Sequence, residues 1–367
     1  MLPASRPFYM GMTPWPYDFT PEAIADTYRF LGEHTDLIAH HLDDGVPWAE
    51  ALAATPFPPK VRENLAYRAA QSDNRTIYLA MTPIAIGRDG LAGDWGEQSN
   101  AQRTGPWTGK DFDDPDVITA YANFCERLIE LFHPAFVTYG IEVNVLLEKN
   151  PRSFDRYVEM TRRVYTQLKA KHPDLPLILS IQLETYMKAP REQEAAIRQL
   201  LPYTDFIAVS SYPYGAADGN GRTYADPSTL PRDWFRRIAA LAPDKPFAVA
   251  ETGFQAEDFV LGGQVAIPGN ARWQARYVRW LFREADALNA RFVVWFVPRD
   301  YDLLWERLER MGLPELFKSW RDTGLRDEHG HDRPSLRIWD AWLTVHRRLA
   351  RVTACVHPRA GNRVRLS

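Results

Sequence analysis

The sequence predicts a single closed (β/α)8 barrel, and three observations predict it. Eight short apolar runs alternate with amphipathic stretches along most of the chain, the pattern of parallel strands joined by crossover helices. The first run leads into Met12-Thr13-Pro14-Trp15-Pro16, whereas an open doubly wound sheet usually carries a Gly-rich phosphate loop there. Long connections follow several runs and short ones precede them, as expected of a barrel whose strand C-termini carry the functional face.

The eight expected strands are Phe8–Thr13, Leu37–Leu42, Thr76–Thr82, Phe136–Glu142, Leu177–Leu183, Phe206–Ser211, Phe247–Glu251 and Phe292–Val297. Helical patterns between them cover Thr20–Gly32, Asp116–Phe132, Ser153–Lys171, Arg191–Leu201, Arg232–Leu241 and Ala271–Ala287. Thr20-Pro21-Glu22 and Asp114-Pro115-Asp116 each place a capping oxygen ahead of a first-turn proline. His172-Pro173 ends the helix that begins near Ser153. Ser335–Leu349 reads as a last helix carrying Trp339 and Trp342. The barrel is expected to fill residues 1–350 as one domain, and the basic stretch 351–367 to be a frayed tail.

Bulk properties narrow the function. The 367 residues carry a formal net charge of -3, so no nucleic-acid footprint is visible. Hydrophobic residues make up 45% and charged residues 25%, an ordinary globular balance. No apolar run is long enough to cross a membrane. The two cysteines, Cys125 and Cys355, imply no disulfide framework and lack the companions of a metal site. Neither a metal nor another cofactor is expected, and the chain is expected to be a monomer. Met1–Phe8 lacks an apolar signal segment, which leaves a cytoplasmic protein and a secreted one with its leader removed both open. The 12 Trp, 16 Tyr and 18 Phe supply either core volume or platforms for a flat ligand.

The strongest chemical signal is a pair of glutamates at strand ends, Glu142 after Phe136–Ile141 and Glu251 after Phe247–Ala250. A carboxylate closing an apolar run is costly to bury without a partner but well placed at a barrel mouth. Strands four and seven lie across the barrel from each other, so the two acids can flank one bond. Glycosidic cleavage needs that arrangement: one carboxyl protonates the leaving oxygen while the other attacks the anomeric carbon or activates water.

These residues resemble glycoside hydrolase clan A, whose members are TIM-barrel retaining glycosidases. The resemblance implies Glu142 as acid/base and Glu251 as nucleophile. The segment Asp205–Pro213 is similar to the strand-six segment of endo-β-1,4-galactanases and their relatives, which makes Tyr212 the match for the tyrosine that hydrogen-bonds the nucleophile. Trp295 matches the strand-eight tryptophan that floors the sugar site. One departure stands out. The clan usually carries Asn directly before the acid/base, and this chain has Ile141 there. Asn144, two residues beyond Glu142, is the expected substitute on the two-residue strand repeat.

Further candidates surround these. His40, His41, Asp43 and Asp44 end strand two and suit sugar hydroxyls, a metal, or a polar strand end without a ligand. Adjacent His40 and His41 must face opposite ways, so at most one points inward. Trp15 is a candidate platform after strand one. Asp300 and Asp302 are candidate hydroxyl binders after strand eight, Glu184 is the rival acid after strand five, and Tyr186 lies beside it. Trp95 and Trp107, in the long third loop, read equally as outer sugar platforms and as packing for the loop. The leading expectation is a retaining β-glycosidase with a carbohydrate substrate. A metal-dependent sugar isomerase or hydrolase, and a non-catalytic carbohydrate-binding barrel, remain open alternatives.

Overall fold

The computed structural model describes residues 2–72, 75–216, 223–263 and 265–348. The expected basic tail, with Cys355, lies outside these residues. Eight parallel strands close into a barrel: β1 (Tyr9–Met12), β2 (Leu37–Leu42), β3 (Thr76–Met81), β4 (Phe136–Gly140), β5 (Leu177–Gln182), β6 (Ile207–Ser211), β7 (Phe247–Thr252) and β10 (Phe292–Trp295). β8 (Phe259–Leu261) and β9 (Val265–Ile267) form a separate antiparallel hairpin in the loop after β7. Each strand pairs with its sequence neighbour around the barrel, and β1 pairs with both β2 and β10 to close it.

Local chemistry explains where the helices start. Thr20 Oγ1 accepts the Ala23 N–H (3.1 Å), Asp114 accepts that of Asp116 (2.9 Å), and Asn270 accepts that of Trp273 (2.9 Å). Each cap satisfies a donor the helix cannot pair internally and contributes about 1 kcal/mol. The helices Pro21–His34, Pro115–Phe132, Pro151–Lys171 and Ala271–Ala287 follow these signals and the apolar spacing. Two helices between β2 and β3, Trp48–Ala53 and Pro59–Ala70, carry no comparable signal: each is preceded by a proline with no side-chain cap. The region Arg232–Leu241 forms only one helical turn, Arg236–Ala239.

Strand alternation divides the core in two. Tyr78, Phe136, Phe206 and Phe292 point inward and plug the lower barrel, with ring centroids 4.7 Å (Tyr78–Phe292) and 5.0 Å (Phe136–Phe292) apart. The alternate positions pack outward on the helices. Trp95 and Trp107 belong to this outer packing, Trp95 against Phe124 and Trp107 stacked on Trp48. Both are buried, so they support the third loop from within rather than forming outer platforms.

Candidate active site

Two strand irregularities bring the glutamates to the mouth. In β4 the register against β5 slips between Thr138 and Gly140. Gly140 faces outward, where a Cβ would collide with the Tyr157 hydroxyl and the Leu179 side chain. Ile141 then turns into the barrel interior, and Glu142 adopts a left-handed backbone with φ of +51°. That conformation costs a non-glycine residue about 1–2 kcal/mol. The Glu142 N–H donates to Ser180 Oγ (2.9 Å), which holds the turn. In β7 the register against β6 slips after Val209, so that Glu251 lies opposite Ser210. Plain alternation from Ala248 would send Glu251 outward; the bulge returns it to the mouth.

Each carboxylate is held by several partners. Glu142 Oε1 accepts the Ser210 hydroxyl (2.7 Å) and Gln182 Nε2 (3.3 Å), and its Oε2 meets Arg88 Nε (3.2 Å). Glu251 Oε1 accepts the Tyr212 hydroxyl (2.5 Å), and its Oε2 pairs with His41 Nδ1 (2.8 Å). The two side chains are only 14% and 16% exposed, so these contacts act with little screening by water. Ser210 joins the halves, since its hydroxyl reaches Glu142 while its backbone lies in register with Glu251.

The electrostatics follow. Burial alone would raise the Glu251 carboxyl, but His41, the Tyr212 hydroxyl and Arg88 outweigh it and hold the group below its ordinary value. Burial alone would lower His41, yet Glu251 and Asp43 raise it above its ordinary value. Tyr212, partly buried and facing Glu251, is raised well above a free phenol by desolvation and by the Glu251 charge.

Arg88 had no place in the sequence reading. It is a buried loop arginine with φ of +57°, and its guanidinium spans Asp43 Oδ2 (2.8 Å) and Glu142. Its pKa is raised, because Asp43, Glu142 and Glu251 together overcome the desolvation that acts first against it. Ser210 and Gln182 also escaped notice, although each occupies an inward position on its strand.

The strand-two cluster splits as alternation demands. His41 faces inward to Glu251, while His40 is buried outward against Phe132 with Nε2 2.8 Å from Ser72 Oγ. Burial, aided by Arg68, lowers His40 to about 3. Asp44 accepts the Ser99 hydroxyl at the loop surface. These residues therefore do not converge on a common ion. Among the described residues, carboxylates close enough to share a cation are Asp300, Asp302 and Asp322, and Glu257, Asp300 and Glu328. Both groups already oppose guanidinium groups, Arg321 on Asp302 and Asp322, and Arg333 on Asp300 and Glu257.

Three expected sugar contacts are corrected. Trp295 is fully buried on the outward side, beside Tyr277 and Trp339, and its indole N–H donates to Thr323 O (2.9 Å). The inward position belongs to its neighbour Phe296, which follows Phe292 and Val294 by alternation and sits edge-on to Trp15 (5.5 Å) and Trp320 (6.2 Å). Asn144 is fully buried, and its amide ties β4 to β5: Oδ1 accepts Gln182 N–H (2.8 Å), and Nδ2 donates to Gln182 O (3.0 Å) and Gln193 Oε1 (2.9 Å). The left-handed turn at Glu142 breaks the two-residue repeat that would have aimed it inward. Asp300 is buried with one oxygen on the Gly324 N–H (2.7 Å) and the other on Arg333, so both oxygens are engaged within the protein and away from solvent.

Of the remaining candidates, Trp15 is half-buried at the rim beside Phe296 and Tyr301. Trp320 lies across from it, 5.7 Å from Tyr212 by ring centroids. Tyr186 donates to Glu194 and is buried. Glu184, at the start of the helix Leu183–Lys188, accepts both the Ser211 hydroxyl and the Tyr212 N–H on Oε1 (2.8 Å each).

The fold is that of the TIM-barrel glycosidases. It matches GH5_18 from Streptomyces cattleya, solved in complex with GlcNAc, with a TM-score of 0.63 at 17% identity, over 94% of this chain and 83% of that one. It also matches an exo-β-1,4-mannosidase from Opitutaceae bacterium strain TAV5 (TM-score 0.62, 14% identity, 91% of this chain and 59% of that one). A β-D-glucuronidase of Dictyoglomus thermophilum matches with a TM-score of 0.54 at 14% identity, over 92% of this chain and 51% of that one. The chain thus spans little more than half the length of the last two. No protein-family model matches the chain, and no curated protein sequence matches it significantly.

Proposed function

We propose that this protein is a retaining glycoside hydrolase of the clan A type, cleaving a β-glycosidic bond with Glu251 as nucleophile and Glu142 as acid/base. The observation that carries the reading is the pairing of two half-buried carboxylates at the ends of β4 and β7, joined through Ser210 and held by different partners. Glu251, kept below its ordinary pKa, is ionised and ready to attack at neutral pH. The shared fold with TIM-barrel glycosidases supports the reading.

In the first step an oxygen of Glu251 bonds to the anomeric carbon, the glycosidic C–O bond breaks, and Glu142 gives its proton to the departing oxygen. In the second step water attacks the anomeric carbon, Glu142 takes its proton, and the bond to Glu251 breaks. Two inversions leave the β configuration unchanged. The Tyr212 hydroxyl and His41 orient Glu251 for the attack. Phe296, Trp15 and Trp320 offer apolar faces for sugar rings at the rim. Within this reading, the segment Asp205–Pro213 favours a galactanase-like substrate among the polymers to be tried.

The test is the release of product from aryl β-glycosides and β-linked glycans by the wild type, E251A and E142A, with the anomer followed by proton NMR. The expected result is a β-anomer first product, activity abolished in E251A, and E142A active only on glycosides with good leaving groups. Full activity in either variant, or an α first product, rejects the assignment.

A further inference from the structure

The loop after β3 doubles back on itself and presents one guanidinium. The Ala92 N–H donates to Pro83 O (2.7 Å), the Ala85 N–H to Gly90 O (2.8 Å) and the Arg88 N–H to Ala85 O (2.7 Å). Arg88 Nη1 also donates to Ala85 O (3.3 Å), which anchors the side chain to its own loop. From there it reaches two carboxylates on different strands. Nη1 meets Asp43 Oδ2 at 2.8 Å, and Nε meets Glu142 Oε2 at 3.2 Å, with little of any of the three side chains exposed. The shorter contact belongs to Asp43. A cation set against a carboxylate favours its charged form, the opposite of what a proton donor needs. Here the guanidinium has a second anion to occupy it.

We propose that Arg88 is a positioning residue for Glu142, and that Asp43, by holding the guanidinium on its own carboxylate, lets Glu142 carry a proton beside an arginine. The inference rests on the hydrolase reading above and adds the control of its acid/base. While Glu142 is protonated, the guanidinium charge is met by Asp43. As the leaving oxygen takes the proton, Glu142 becomes an anion, and its contact with Arg88 Nε–H strengthens into a charge-assisted bond. That bond holds the carboxylate in place for the second step, in which it takes a proton from water. Arg88 keeps its own proton throughout: burial acts first against its charge, but Asp43 and Glu142 outweigh it and raise its pKa.

The two members of this pair act on Glu142 with opposite sign. Without the Asp43 charge the guanidinium is left to Glu142, which then gives up its proton at lower pH. Without the Arg88 charge Glu142 keeps its proton to higher pH. Lost packing alone would lower activity without moving the profile. Other polar and charged groups surround the pair: His41 at the end of β2, Gln182 on β5, Ser210 and Tyr212 at the end of β6, and Glu251 on β7, while Glu184 beyond β5 feels the Glu142 charge. His41, raised above its ordinary value, also titrates on the basic side. The leaving group separates the two. A good leaving group departs without a proton from Glu142, whereas His41 acts on Glu251 whatever departs.

The experiment follows kcat/KM against pH for the wild type, D43N and R88Q on alkyl and dinitrophenyl β-glycosides of gluco, manno and galacto configuration. With the alkyl glycosides the basic limb is expected about one unit lower in D43N and about one unit higher in R88Q. On the descending side of the profile the first is about a tenfold loss. The dinitrophenyl glycosides lack the limb that Glu142 sets, and any shift they show belongs to His41. An alkyl-glycoside limb that stays in place in D43N, moves up, or moves only as far as the dinitrophenyl one overturns the inference. D43N decides alone if R88Q does not fold. The Glu142 carboxyl is also titrated without substrate, by carbon-13 NMR of glutamate-labelled protein, with its signal assigned by its loss in E142Q. The same downward move in D43N without turnover of any glycoside removes the hydrolase reading and leaves the control of the Glu142 charge standing. A signal that does not move in D43N overturns the inference, whether or not glycosides are turned over.

Discussion

His41 Nδ1 lies 2.8 Å from Oε2 of Glu251, and each group moves the other toward its charged form: the imidazole pKa is raised and the carboxyl pKa lowered. The contact therefore favours an imidazolium facing a carboxylate at every pH between the lowered carboxyl pKa and the raised imidazole pKa. In H41Q the Glu251 carboxyl loses its strongest offset to burial, and its pKa rises. The acid limb of the kcat/KM profile then moves to higher pH, which a pH–rate series of wild type and variant reads directly. The stability effect has two edges. The contribution of the raised His41 is complete below its ordinary pKa and fades as pH rises through the raised value. That of the lowered Glu251 is present above the ordinary carboxyl value and fades as pH falls through the lowered one. Thermal melts of wild type and H41Q should thus differ most between these two limits and converge outside them.

Arg88 spans Asp43 and Glu142 in a buried position. Its removal strands two carboxylates with little access to water. R88A should lose about 3–5 kcal/mol of stability in urea titration, and R88K should recover only part of it, because an ammonium does not reproduce the two-armed guanidinium contact. D43N, which leaves Arg88 paired with Glu142, should cost less than R88A.

Asn144 ties β4 to β5 and has no amide atom left for a ligand. N144A should therefore lower stability by about 1–3 kcal/mol with KM nearly unchanged. A large rise in KM without a fall in melting temperature would return Asn144 to sugar binding.

Trp295 and Phe296 should separate in the same way. W295F forfeits the bond to Thr323 O and should cost about 1–3 kcal/mol of stability with little effect on KM. F296A should raise KM for oligosaccharides and leave the melting temperature closer to wild type. Urea titrations and Michaelis kinetics on both variants distinguish the two roles.

The sequence carries the barrel clearly because its strands are short apolar runs with capped helices between them. The expected spans of β2 and of the helix Ala271–Ala287 coincide with the structure residue for residue. The placement of the two glutamates at the barrel mouth was legible for a physical reason: a carboxylate that closes an apolar run is costly to bury without partners, so it stands at the end of the strand. The failures share a cause as well. Asn144 was aimed by counting in twos past Glu142, where the backbone turns left-handed. Trp295 is the position the family resemblance implies, although counting in twos from Phe292 leads to Phe296. Arg88 sits in a loop whose path is set by the turn closed from its N–H to Ala85 O, and no periodic pattern runs through it.

The irregularities in β4 and β7 separate aim from foundation. Below Thr138 and Val249 the strands keep a strict rhythm and fill the floor with rings; above those points one residue of slack in each strand decides where an acid looks. The aim of each acid is therefore set at these slips rather than by the layers beneath. In this barrel two local departures from the strand pattern, and not the packed base, carry the acids to the rim.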